Sequence, residues 1–217
     1  MAKKPKYDEN DPEAIKARNR VMKIIDSVNP NDLVSSIKRA PSLRGMILGY
    51  IAEEMFEKYL KTIPEISNVT KHDDHDRKSN KSDRTFDFNG RRYSIQLKSI
   101  QTNSIKMDLS TERLIASVQN DGSDARTIKL PNGNSVQTTC YKIGEYDILA
   151  VPLFPFTEKW NFAYKYNRDC RITTSKKYKD EDRKYLLSSS EPITWPLDES
   201  WTDPLLPLLD HSIGEQV

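Results

Sequence analysis

Between Asp83 and Lys98 the chain reads DRTFDFNGRRYSIQLK, two alternating runs on either side of Asn89-Gly90. Asn-Gly adopts the positive φ angles of a two-residue turn, so this pattern predicts a β-hairpin. Successive side chains point to opposite faces of a strand. Asp83, Thr85 and Asp87 therefore face one way and Arg84, Phe86 and Phe88 the other, while Gln96 and Lys98 share a face in the return strand. Acid, amide and lysine converge.

The rest of the chain is read around this hairpin. Val21, Ile24, Ile25 and Val28 recur at helical spacing up to Asn29-Pro30, where proline disfavours continuation. A second helix starts at Pro41-Ser42, with Met46, Ile47, Tyr50, Ile51, Met55, Phe56, Tyr59 and Leu60 as its core stripe, and ends at Ile63-Pro64. The polar stretch Lys71 to Ser82 reads as a loop. A further helix is expected around Leu109 to Val118, and loops or a hairpin around Gly122, Pro131 and Gly133. Tyr146 to Phe154 and Trp160 to Tyr166 read as strands. The unbroken apolar run YDILAVPLF predicts a strand covered on both faces, with helices on both sides of the sheet. The acidic, proline-rich end from Thr194 is expected to wrap the surface, docked by Trp195, Trp201 and its leucines.

The fold class that follows is α/β, a central mixed sheet of about five strands flanked by helices. A length of 217 residues suits a single domain: a helical part over 1–43, a core over 44–166, and a basic segment with an acidic wrap over 167–217. No apolar stretch is long enough for a membrane span, and the amino terminus has no signal-peptide core, so a cytoplasmic protein is expected. Cys140 and Cys170 are too few and too isolated for a disulfide framework or a zinc site and read as structural thiols. The formal charge of +2 conceals an asymmetry. Lys165 to Lys179 carries six bases against one acid, and nine acids face only Arg183 and Lys184 from Asp180 onward. A polyanion partner is allowed by this pattern and not required by it.

The chemistry narrows the choice. Mg2+ takes hard oxygen ligands and keeps several waters. The Asp83 carboxylate, the Gln96 side-chain carbonyl and the Leu97 main-chain carbonyl form a suitable set beside a phosphodiester. Lys98 would orient an attacking water and offset phosphate charge. The cluster HDDHD, His72 to Asp76, invites a transition-metal reading but has no second ligand-bearing segment; a loop-ordering or DNA-contacting role for His72, His75 or Arg77 is the alternative.

In Asp83, Gln96 and Lys98, with twelve residues between the first two, the sequence resembles the PD-(D/E)xK nuclease superfamily in its QxK variant. GYIAEEMFEKYL is similar to the helix that precedes this core, and YDILAVPLF with KWNFAY to its later strands, so the likeness spans Arg44 to Tyr166. The resemblance implies a restriction-endonuclease-like core and makes Glu53, or less favourably Glu54, the helix carboxylate that reaches the metal. Ser82 stands where the family has proline, and Gln96 replaces an acid, which shifts metal affinity onto Asp83, Glu53 and Asp87. Asp87 is a weaker choice of ligand than Asp83, because only eight residues would separate it from Gln96.

The resemblance further implies a type II restriction endonuclease: Mg2+-dependent cleavage of a specific double-stranded DNA site, leaving 5′-phosphate ends. The partners implied are a second copy of the chain in a homodimer and, in the same system, a cognate DNA methyltransferase. A structure-selective repair nuclease and a catalytically silent DNA-binding module are the alternatives. Gln101, Thr102, Asn103, Lys106, Arg126 and Arg168 are the candidate DNA contacts.

Overall fold

The computed structural model describes residues 11–72 and 82–214, apart from the side chains of residues 21, 22, 24, 25 and 211–214. The chain divides into two compact units, Met1–Leu48 and Gly49–Val217. In the first, helix α1 (Pro12–Ser27) stops ahead of Asn29-Pro30 and α2 (Pro30–Arg39) begins there. Asn29 caps α2 by accepting the Asn31 N–H at 2.9 Å, and Pro30 fills the first helical position, where no N–H is needed. The α2 helix falls within the expected helical part over 1–43, though the sequence marks no separate helix between Pro30 and Pro41. Helix α3 (Pro41–Leu60) starts at the expected Pro41-Ser42.

The predicted core stripe of α3 is confined to its second half. Ala52, Phe56 and Leu60 are buried and Met55 and Tyr59 half-buried, whereas Met46, Tyr50 and Ile51 are exposed. Of the stripe predicted for the first helix, Val28 lies beyond its end and is exposed; the side chains of Val21, Ile24 and Ile25 lie outside the description.

The second unit continues with β1 (Ile66–Lys71), β2 (Arg84–Phe88), β3 (Arg91–Leu97), β4 (Lys106–Asp108), β5 (Arg113–Gln119), β6 (Asp121–Lys129), β7 (Ser135–Cys140), β8 (Ile148–Pro152), α4 (Phe154–Thr157), β9 (Phe162–Tyr166), α5 (Asp180–Arg183), β10 (Ser190–Trp195) and α6 (Leu205–Gly214). A five-stranded sheet in the order β1-β2-β3-β8-β9 forms its centre. It is mixed: β3 and β8 run parallel and the other neighbours antiparallel. The predicted α/β class with a five-stranded mixed sheet and flanking helices is what the chain forms. A parallel pair needs a long crossover, and the segment between β3 and β8 supplies one that also carries the β4-β5 and β6-β7 hairpins.

Both faces of β8 and β9 are buried, as YDILAVPLF predicts, but the two covers differ. Phe86, Phe88, Tyr93, Ile95, Ile148, Ala150 and Tyr164 meet α3 and α6 on one side. On the other, Leu149, Val151 and Ala163 meet Ala116 and Val118 of β5, Ile193 of β10, and Trp201. Strands therefore cover the face where helices were expected.

The helix predicted around Leu109 to Val118 is instead the β4-β5 turn and strand β5. Ala116 and Val118 are buried while Ile115 and Gln119 are exposed, a period of two. Asp108 closes the turn by accepting the Ser110 N–H at 2.9 Å and the Thr111 hydroxyl at 2.9 Å. The carboxy-terminal segment is docked by the residues expected to hold it: Leu205, Leu208 and Leu209 of α6 join one core cluster, and Trp201 joins the other, with Trp195 packed against that cluster. Cys140 and Cys170 are buried and unbridged, and burial pushes the Cys170 thiol up to about 12.

The turn holding β2 to β3 has positive φ at both residues, 47° at Asn89 and 76° at Gly90. A Cβ added at Gly90 would meet nothing within 4 Å. Conformation alone therefore sets the penalty. Gly90→Ala is expected to destabilise the protein by about 1–2 kcal/mol, the ordinary left-handed cost, as a lower midpoint in urea denaturation.

Candidate active site

The turn puts Arg84 opposite Ile95, and one step further out Asp83 stands across from Gln96. One carboxylate oxygen, Asp83 Oδ2, accepts two hydrogen bonds at 2.7 Å, from Gln96 Nε2 and from the Leu97 N–H. Because the Gln96 nitrogen is turned to Asp83, Gln96 Oε1 is left buried without a partner among the described residues. Burial raises the Asp83 carboxyl to about 6; the Leu97 N–H and the Lys98 charge pull the other way, and the Glu53 charge adds to the rise.

Lys98 donates from Nζ to the main-chain carbonyl of Asp121 at 2.9 Å and lies 5.3 Å from the centroid of the Tyr141 ring. Among the described residues no carboxylate comes within ion-pair distance of it. The Asp121 carboxylate accepts the Thr139 hydroxyl at 3.1 Å through Oδ2, and its Oδ1 is buried without a partner. Arg126 stands over the same Tyr141 ring at 5.2 Å and pairs with Glu145. The fold thus brings Arg126, expected only as a DNA contact, to the same aromatic ring as the lysine. Tyr141, Asp121 and Glu145 were not anticipated, and no local pattern marks them.

Arg84 occupies the opposite face and is among the largest fully buried side chains. Its guanidinium contacts Glu53 and Glu57, each at 3.4 Å, and donates to the Asp83 carbonyl at 2.9 Å. An arginine alternating with Phe86 and Phe88 on an apolar face requires acidic partners, and that was the available signal. Glu53 is held by Arg84 and by Lys71 at 3.7 Å and touches the site through its charge on Asp83. Glu54 is exposed and faces Lys71 at 3.5 Å. Glu57 is kept below the usual carboxylate range, first by its hydrogen bond with Lys61.

Other predicted residues lie further away. Asp87 is bound to Asn68 at 2.7 Å and to Arg92 at 2.9 Å, which hold its carboxyl low, and sits four residues along β2 from Asp83. The His72 ring contacts the Thr85 hydroxyl at 3.0 Å through Nε2, and the His72 main-chain N–H donates to the Asp83 carbonyl at 3.3 Å. The remainder of the HDDHD cluster and Arg77 lie outside the described residues. Gln101, Thr102 and Asn103 are exposed just beyond Lys98; Gln101, Asn103 and Lys106 line a cleft of about 500 Å3 with Ile115, Ser117 and Thr194. Arg168 is exposed over Tyr166. Tyr166 pairs with Ile148, which pairs with Ile95, so Arg168 lies beyond the end of the strand facing away from Lys98. Lys165, counted in the basic segment, is buried against Glu191 at 2.8 Å and is unavailable to a polyanion.

No family profile and no curated protein matches this chain. Among solved structures, a bacterial homing endonuclease is similar over 64% of this chain and 85% of its own, with 18% identity and a TM-score of 0.33. A likeness of that degree bears on neither activity nor site, and the chemistry rests on the residues themselves.

Those residues suit a hard cation. A carboxylate with one oxygen outside the hairpin hydrogen bonds and a buried amide carbonyl without a donor are both oxygen ligands. Asp83 also stabilises the fold only when protonated. With its folded value near 6, above the ordinary 3.8, that contribution is complete below 3.8 and lost as pH rises through 6. In EDTA, Asp83→Asn should therefore be more stable than the parent above pH 6, by on the order of 2–3 kcal/mol, with the difference vanishing toward pH 4. Denaturation across that pH range checks it; a less stable variant at pH 8 would contradict the assignment.

Proposed function

We propose that this protein is a metal-dependent DNA endonuclease, and within that class a type II restriction endonuclease that cuts both strands of a specific site to leave 5′-phosphate ends. One observation carries the reading: Lys98, a cation without a carboxylate partner among the described residues, stands near the half-buried Asp83, whose carboxyl its charge affects, and near the buried Oε1 of Gln96, which has no partner among the described residues. A cation so placed calls for an anion, and the oxygens next to it for a metal.

In this reading Asp83, Gln96 Oε1 and the Leu97 main-chain carbonyl hold Mg2+, and Glu53 contributes negative charge from behind Arg84. The bound ion supplies Lewis-acid stabilisation of the phosphoryl oxygens and a more acidic water. The two hydrogen bonds on Asp83 Oδ2 keep that carboxylate from rotating, so its Oδ1 is the oxygen presented. Lys98 orients the attacking water and neutralises a phosphate oxygen, exchanging the Asp121 carbonyl for the substrate. Gln101, Asn103 and Lys106, along the neighbouring cleft, are the residues placed to follow the duplex from the cut. A homodimer suits cleavage of both strands and is supported by the exposed Leu33, Val34, Leu43 and Met46 of the first unit. A DNA methyltransferase would protect the host site.

Lys98→Ala is expected to lower single-turnover plasmid cleavage by roughly 100-fold or more, with duplex binding in Ca2+ largely kept and the fold unchanged by circular dichroism. Normal cutting by this variant would remove Lys98 from the chemistry. Gln96→Glu adds a charge where the reading has a neutral ligand, so calorimetric titration should show tighter Mg2+ binding; an unchanged affinity would take Gln96 out of the ligand set.

A further inference from the structure

We propose that Arg126 is a second phosphate-binding residue of this site, held by Glu145 and Tyr141 to take a non-bridging oxygen of the nucleic-acid backbone beside Lys98. The inference rests on the endonuclease reading and turns Arg126 from a general DNA contact into a ligand of the phosphate at the reacting site. Its basis is local geometry. Strand β6 loses its regular register with β7 between Asp121 and Arg126, and both ends of that irregularity serve the site. The Asp121 carbonyl receives Lys98 Nζ, while the Arg126 guanidinium folds back over the Tyr141 ring on which Lys98 also lies. Gly122 leaves room for the guanidinium, since a Cβ there would stand 3.1 Å from Arg126 Nη1 and push it aside by a few tenths of an ångström.

The guanidinium is anchored and still has donors to offer. Nη2 pairs with Glu145 Oε1, and Glu145 Oε2 is fixed in turn by the Lys142 N–H at 2.8 Å. Among the described residues Arg126 Nε is buried without a partner and Nη1 donates to none. The two side chains are only 21% and 11% exposed, so the pair is shielded from water. Glu145 neutralises Arg126, and the negative face of the Tyr141 ring eases the approach of a second cation. Among the described residues no carboxylate comes within ion-pair distance of Lys98. A phosphate oxygen between the two cations supplies the counter-charge, taking a point charge from lysine and planar donors from arginine.

The test uses the double variant R126M/E145Q, which keeps the stem on Tyr141 and leaves the net charge unchanged. Anisotropy of a fluorescein-labelled duplex of arbitrary sequence, in Ca2+, is expected to show about tenfold weaker binding, and the slope of log K against log salt should fall by about 0.9, one phosphate contact. Single-turnover plasmid cleavage should fall by about 100-fold. R126K, which retains the charge and the Glu145 contact, gives an independent readout should the double variant fail to fold. It should cut about tenfold more slowly than the parent because the planar fork is gone. Parent-like binding, salt slope and cleavage in R126M/E145Q, or parent-like cleavage in R126K, would overturn the role. Asp83→Asn separates the two levels: if it is inactive while the Arg126 variants behave as the parent, only this inference fails; if it too cuts normally, the chemistry is not at Asp83, and if the parent does not cut in Mg2+ the endonuclease reading itself falls, either result taking this inference with it.

Discussion

Two hydrogen bonds to a single carboxylate oxygen, from the Leu97 N–H and the Gln96 amide to Asp83 Oδ2, organise everything else at this site. They fix the rotamer of Asp83, turn the Gln96 nitrogen inward and leave its carbonyl oxygen without a donor. Both depend on register. A one-residue slip in the hairpin would send Asp83 or Gln96 to the opposite face, so the Asn89-Gly90 turn is as much part of the site as the side chains it aligns. The hydrogen bonds only partly offset the penalty of burying the carboxyl, which is why the group titrates near 6 and why a cation there is favoured.

The two faces of the hairpin have different tasks. Phe86, Phe88, Tyr93 and Ile95 join the core beneath α3 and α6, and Arg84 on that face binds Glu53, Glu57 and the Asp83 carbonyl. One buried guanidinium thereby fastens helix, strand and the backbone of the acid together. Removing either side of such a pair would leave a buried charge uncompensated. On the other face, beside Asp83 and Gln96, Lys98 reaches the crossover at the Asp121 carbonyl and at the Tyr141 ring, which Arg126, paired with Glu145, also covers. The long connection that a parallel β3-β8 pair demands is thus also the source of the second half of the site.

What could be read from the sequence follows the range of the interactions. The hairpin, the face shared by Asp83, Gln96 and Lys98, and the doubly buried β8 are set by period-two alternation and one turn dipeptide, both local. Strand β5 was misread because Leu109, Leu114, Ile115 and Val118 also fit helical spacing, and the arbiters were the Asp108 turn and pairing with β10, seventy residues away in the chain at its nearer end. Edge strand β1 was missed since ISNVTK buries only Ile66. Tyr141 and Glu145 meet Lys98 and Arg126 through tertiary packing alone. Lys165 looked like part of a basic surface because charge counting cannot see Glu191 folded against it.

The account stands most directly on whether the intact protein hydrolyses DNA through a metal held at this hairpin. Purified protein incubated with unmethylated plasmid and phage DNA, in Mg2+ or in EDTA, and resolved on a gel, decides it. Discrete fragments in Mg2+, absent in EDTA and carrying 5′-phosphate ends, are the predicted result. Intact DNA under both conditions, or cleavage indifferent to EDTA, would contradict it.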